Sequence, residues 1–288
     1  MTEWEIAFRD DAELLERPVW DDRTGTVIWV DCNAGFVHRL DTAGGHTAID
    51  VGRRVGAAAL RDNGGIVVAR DDGLLFLGAD GKPDRDDVQF SLAANVRFND
   101  GACDPTGRFV IGTCSTDGSR GQAALYSVEP DGAVTELLSD ITESNGLAWS
   151  LDGRTMYYVD TGEPTIRRYS YDPSTGMLGD MGVLITFSEG EGIPDGLIVD
   201  AGGMVWAAMW EGFSVCRISP DGRVLQRLAT PVSRPTCPAF GGPALDRLYL
   251  TSAWEGMDAA ARTAEPLAGS LLVTVPGPTG LPAFRFAG

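Results

Sequence analysis

Asp104-Pro105-Thr106-Gly107-Arg108-Phe109-Val110-Ile111 is an Asp/Gly turn running into a short apolar strand, and the chain repeats this phrase about six times. It recurs as Asp22 to Gly25 before Thr26–Val30, Asp62 to Gly65 before Ile66–Ala69, and Asp152-Gly153-Arg154 before Thr155–Val159. The last copies are Asp200 to Gly203 before Met204–Ala207 and, less regularly, Leu245-Asp246-Arg247 before Leu248–Leu250. Successive turn aspartates lie 40, 42, 48, 48 and 46 residues apart. A period of about 40 to 50 residues holding several strands is the signature of a propeller blade.

Each period holds a second strand and turn, such as Ala124–Val128 before Glu129-Pro130-Asp131-Gly132, or Ser214–Ile218 before Ser219-Pro220-Asp221-Gly222. Asp-Gly between apolar runs is a strong hairpin signal. Each repeat thus reads as a small antiparallel sheet, which cannot bury its faces alone, whereas a ring of such sheets packs each against two neighbours. The reading is an all-β, six-bladed β-propeller occupying residues 1–288 as one domain, since the repeats leave no room for another. Helix is expected only at Asp10–Leu15 and Met257–Ala264, each long enough for a turn or two.

The formal net charge of −18 opposes phosphate backbones and anionic lipid, so neither nucleic acid nor a membrane is an expected partner. No apolar run is long enough to span a bilayer, and Met1-Thr2-Glu3-Trp4-Glu5 lacks the basic and apolar regions of a signal peptide, which predicts a cytoplasmic chain. Five scattered cysteines fit reduced, buried thiols rather than a disulfide framework or zinc cluster. Lys82 is the only lysine and sits in a polar turn, which opposes amine-based covalent catalysis. His38 and His46 are the only histidines, and both lie in the outer half of the first repeat. A Ser-His-Asp triad or a His-rich metal site is therefore disfavoured. Carboxylates, amides and a hard metal ion are left to supply any chemistry.

Four segments place polar side chains where a propeller's strands converge on its axis. They are Leu14–Trp20, Asn95–Gly101, Glu143–Trp149 and Gly192–Asp200. Glu16, Asn99, Asn145 and Asp195 precede their turn aspartates by 6, 5, 7 and 5 residues, which predicts equivalent positions facing one another across a central channel. Two carboxylates and two amide oxygens form a hard donor set for a divalent cation such as Ca²⁺, Mg²⁺ or Mn²⁺. Such an ion polarises a carbonyl and activates water, the needs of ester or lactone hydrolysis. Asn-Gly and Asp-Gly are also plain turn dipeptides. Glu16, between Leu15 and Pro18, is not a usual turn former.

These segments resemble the SMP-30/gluconolactonase/luciferin-regenerating-enzyme family across nearly the whole chain. Leu15-Glu16-Arg17-Pro18-Val19-Trp20 is similar to the family's opening Gly-Glu-Gly-Pro-Val-Trp, and Arg97-Phe98-Asn99-Asp100-Gly101 to Arg-x-Asn-Asp-Gly. Ser144–Ser150, Pro194-Asp195-Gly196, and Phe240–Pro243 with Thr251-Ser252-Ala253 complete five phrases in order. The resemblance implies one divalent metal ion (Ca²⁺, Mg²⁺, Mn²⁺ or Zn²⁺) on Glu16, Asn145 and Asp195. It implies Arg97 and Asn99 as substrate contacts and Asp195 as general base in opening an aldono-1,4- or 1,5-lactone. Rival readings are another metal-dependent esterase or phosphotriesterase, and a non-enzymatic binding propeller. Arg17 departs from the usual glycine; it is equally compatible with a place in the pocket and with solvent. The short segment Ser115–Gly121 is expected over the channel entrance. Trp20, Trp149, Trp206 and Trp210 are candidates for pocket lining or, more commonly for such residues, inter-blade packing. The oligomeric state is left open.

Overall fold

The computed structural model describes residues 3–71 and 73–288. It forms six four-stranded antiparallel sheets whose strands run in sequence order from the axis outward. The innermost strands are Leu15–Asp21, Val55–Leu60, Val96–Cys103, Ser144–Trp149, Ile193–Val199 and Pro235–Gly241, opening blades one to six. Blade six is completed from the other end of the chain: its strands Pro235–Gly241, Arg247–Ser252 and Leu271–Thr274 take Glu5–Phe8 as the outermost member. Joining first and last segments in one sheet closes the ring. Large side chains fill the gaps between blades, with Trp29, Phe76, Phe109, Tyr158, Trp206 and Phe240 fully buried.

The C-terminal segment straps across one face. Thr279 accepts from the Ala201 amide of blade five, and the Gly280 amide donates to Leu245 in blade six. Arg285 pairs with Asp21 and Asp22 of blade one, Phe286 exchanges bonds with Leu60 and Asp62 of blade two, and the Ala287 amide donates to Gly107 in blade three.

The structure shifts the expected register of the repeat. The turns open on Asp21, Arg61, Asp104, Ser150 and Asp200, whose carbonyls accept the closing amides of Gly25, Gly64, Gly107, Gly153 and Gly203. Only Asp104 and Asp200 hold the predicted place. There the carboxylate binds the turn amides and is buried against an arginine, Arg108 or Arg217. In blade four the Ser150 hydroxyl accepts the Thr155 amide, and Asp152 lies outside in solvent. Helix forms at Ala259–Ala264, capped by Asp258, but Asp10–Leu15 is not helical. Leu14 and Leu15 enter different apolar clusters on opposite sides of blade one, which an extended backbone allows and a helix does not.

His38 is buried against Trp29, with His46 exposed beside it. All five cysteines are buried and unpaired. No helix among the described residues is long and apolar enough to cross a membrane.

Candidate active site

Corrected for the turn register, the spacing of the predicted residues becomes uniform. Glu16, Gly56, Asn99, Asn145 and Asp195 each stand five residues before the turn-opening residue of their blade. Every innermost strand is interrupted near this level. Pairing with the second strand slips between Glu16 and Val19, Val55 and Ala57, Phe98 and Gly101, Ser144 and Leu147, Pro194 and Leu197, and Pro235 and Pro238. A β-bulge re-aims side chains and ends regular pairing, a recurrent device beside functional sites.

Small residues let the bulges meet. A β-carbon on Gly146 would lie 2.3 Å from the Asp195 carbonyl oxygen, and one on Gly196 2.4 Å from Cys237 Sγ. Gly146 and Gly196 therefore follow Asn145 and Asp195 because atoms of the next blade, backbone at Gly146 and Cys237 at Gly196, occupy the space of a side chain.

The ring is linked by hydrogen bonds. Arg97 Nη1 donates to Asn99 Oδ1 at 2.8 Å and to the Phe98 carbonyl. Asn99 Nδ2 donates to the Ser144 carbonyl at 2.9 Å and lies 3.4 Å from Asn145 Oδ1. Asn145 Nδ2 donates to Thr161 Oγ1 at 2.8 Å, which fixes its oxygen as the end left for the ring. Arg97 and Asn99 thus touch each other, Asn99 also binds the backbone of the next blade, and their amide and guanidinium orientations are set before any ligand arrives.

Glu16, Asn145 and Asp195 are all buried. Burial, reinforced by the charge of Asp100, pushes the Glu16 carboxyl up to about 8, against the pull of the Arg17 amide and of Arg17 and Arg97. Burial also holds Asp195 well above the ordinary carboxylate range, with Glu16 the strongest of the acidic neighbours acting on it. Asp195 Oδ1 has no hydrogen-bond partner. Two buried, mutually repelling carboxylates, one with an orphaned oxygen, beside an amide oxygen aimed by Thr161 fit a hard divalent cation. Among the described residues no group of three His, Cys, Asp or Glu is placed to hold a metal ion, so any such ion relies on the amide oxygens.

Arg17, which the sequence left between pocket and solvent, points inward. Its Nη1 lies 3.4 Å from both carboxylate oxygens of Asp100 and 3.9 Å from Cys237 Sγ. Arg17 and Asp100 each follow a ring residue, so this pair forms a floor one step below the ring. Its backbone at φ +44° is left-handed, a conformation natural to the glycine it replaces.

On the other side of the ring a polar cavity of about 440 Å³ opens, lined by Glu13, Asn33, Arg54, Arg97, Glu143 and Glu255 together with Cys114, Ser115 and Thr116. Asn33 Nδ2 donates to Glu13 at 2.9 Å and to Glu255 at 3.3 Å. Ser115 and Thr116 begin the short segment expected at the entrance, and the Thr116 amide is held by the Asn95 carbonyl. The sequence reading missed Arg54 and Glu143, although both stand seven residues before their turn, as Arg97 does. The turn register carried that signal. It also missed Asp100, which looked like half of a turn dipeptide. Trp20 and Trp149 line a different cavity, beyond the floor. Trp206 is core, with its Nε1 on Asp200, and Trp210 stacks under Arg234.

The family model described as the SMP-30/gluconolactonase/LRE-like region matches residues 14–254. The chain belongs to this family. It is 35% identical to regucalcin of Danio rerio over 289 residues, covering 99% of this chain and 98% of that one. It is 37% identical to 6-deoxy-6-sulfogluconolactonase of Pseudomonas putida over 275 residues, 93% and 94% of the two chains. The crystal structure of a calcium-binding regucalcin from Agrobacterium tumefaciens superposes with a TM-score of 0.92 at 30% identity, covering 100% of this chain and 98% of that one.

Proposed function

We propose that this chain hydrolyses a sugar lactone to the aldonic acid, with a divalent metal ion held by Glu16, Asn145 and Asp195. The observation that carries the reading is the buried Asp195 carboxylate, whose Oδ1 has no hydrogen-bond partner and which feels the charge of Glu16 most strongly among its acidic neighbours. The relative from Pseudomonas putida, named as a gluconolactonase, supports the lactone, and the Agrobacterium regucalcin, named as calcium-binding, supports Ca²⁺ as the ion.

When bound, the ion supplies Lewis-acid polarisation of the lactone carbonyl. The residues do the rest. Asp195 takes a proton from the attacking water. Water oxygen bonds to the carbonyl carbon, the ring C–O bond breaks, and the leaving ring oxygen receives that proton. Arg97, held on Asn99 at 2.8 Å, offers its remaining guanidinium donors to the carbonyl or to sugar hydroxyls, and Asn99 offers its carboxamide oxygen as an acceptor. The Glu13–Asn33–Glu255 cluster and Glu143 offer acceptors to further hydroxyls. This polar lining favours a polyol lactone over the apolar ester of a general esterase.

The test is a pH-indicator assay of ring opening over pentono- and hexono-lactones, after chelation and after adding back single divalent metals. Metal-restored turnover, abolished in Asp195→Asn, supports the reading. Folded protein without turnover above spontaneous hydrolysis with any metal refutes it.

A further inference from the structure

Beyond the Arg17–Asp100 floor, on the side away from the ring, lies a second cavity of about 650 Å³. It falls in the size range of small-molecule sites. Its walls are the parts of the innermost strands that follow the bulges, and they are apolar: Leu147, Trp149, Leu197, Ile198 and Phe240 among them. Arg17 is the one charged side chain among the described residues that line it. Its mouth is rimmed by the strap residues Leu281 and Phe284 and by Leu151, which are 39%, 45% and 57% exposed. Large apolar side chains gathered round an opening mark a binding site more often than chance exposure does.

The guanidinium is only partly used. Asp100 and Cys237 engage Nη1, and the remainder has no hydrogen-bond partner among the described residues. The Nε/Nη2 edge is the fork that takes a carboxylate through two parallel bonds. A desolvated cation with idle donors at the inner end of an apolar chamber is complementary to one kind of molecule. We propose that this chamber is a second ligand site, separate from the ring, for a carboxylic acid with an apolar body: the carboxylate lies on Arg17 and the hydrocarbon fills the space toward Leu281 and Phe284. The proposal does not depend on the lactonase reading.

Isothermal titration calorimetry on the full chain tests it, with Ca²⁺ and gluconate in excess to occupy the ring side and decanoate as probe. The expected result is saturable one-to-one binding, weakened about tenfold or more when decanol replaces decanoate or in Arg17→Gly, as loss of a charge-assisted pair implies. Arg17→Gly suits the left-handed backbone there. Ile198→Trp, which takes up chamber volume from the blade-five wall, is expected to abolish binding, with its melting temperature measured in parallel. No saturable binding to the wild-type chain overturns the proposal. So does decanol binding as well as decanoate, or either folded variant binding as the wild type does.

Discussion

Arg17 and Asp100 occupy equivalent places two blades apart and meet across the axis, with Arg17 Nη1 3.4 Å from each carboxylate oxygen. Their losses should differ in cost. Burial already raises the Asp100 carboxyl above its ordinary range, so without Arg17 it can take a proton and become neutral. A guanidinium has no such escape. Asp100→Asn is expected to cost about 3 kcal/mol or more, the penalty of a buried charge stripped of its partner. Arg17→Gly is expected to cost clearly less. Urea unfolding of both variants checks the order, and equal or reversed losses would remove the floor pair from the account of stability.

Thr161 acts on the proposed ion only through Asn145, whose Nδ2 donates to its hydroxyl at 2.8 Å. Removing such an outer partner typically weakens metal affinity by about 10- to 100-fold. Thr161→Val should raise the metal concentration needed for half-maximal lactonase activity by that factor while leaving kcat at saturating metal nearly intact. A kcat that falls at every metal concentration, with unchanged metal affinity, would instead place Thr161 against the substrate.

The ring itself was legible in the sequence because its chemistry is local: Glu16, Asn99, Asn145 and Asp195 sit in short phrases that recur with the blade period. The period was read one or two residues out of register in several blades, since Ser150 or Arg61 can open a turn as Asp104 does. Asp62 and Asp152 lie one and two residues beyond the residues that open these turns. Arg17 was undecidable for a different reason. Its direction depends on Asp100, 83 residues away, and on a bulge that only strand pairing reveals. Long-range partners of this kind leave no trace in local spacing. The strap is the same case, because Thr279–Gly288 has no repeat of its own and gains its structure from contacts with five blades.

His38 gives a pH signature remote from the ring. Burial, together with the nearby charge of His46, holds its pKa below the ordinary 6.5, and its Nε2 is buried without a partner. The folded state therefore keeps the ring neutral at a pH where the unfolded chain binds a proton. Stability from this group is full above about pH 6.5 and is lost as pH falls through that value, because the unfolded state takes up more protons. The difference between His38→Phe and wild type in urea unfolding should narrow as pH drops from 7.5 to 5.5. A difference independent of pH would show that His38 titrates alike in both states.

Phe286 is the anchor of the strap. Its ring is fully buried with Phe76 in the cluster between blades two and three, while its backbone is bonded to Leu60 and Asp62. Arg285 beside it pairs with Asp21, a turn-opening residue of blade one. Phe286→Ala removes a buried aromatic that the cluster cannot refill, and should cost about 3 to 5 kcal/mol. Truncation after Gly280 should cost at least as much, since it also removes the Arg285 pair and leaves Asp21 half-satisfied. Neither change touches the ring directly, so activity per folded molecule at low temperature should survive while the melting temperature falls. Unfolding curves measured beside lactone turnover on the same samples separate the two effects. If turnover is lost while the melting temperature holds, the strap belongs to the working site and not to the closure of the propeller.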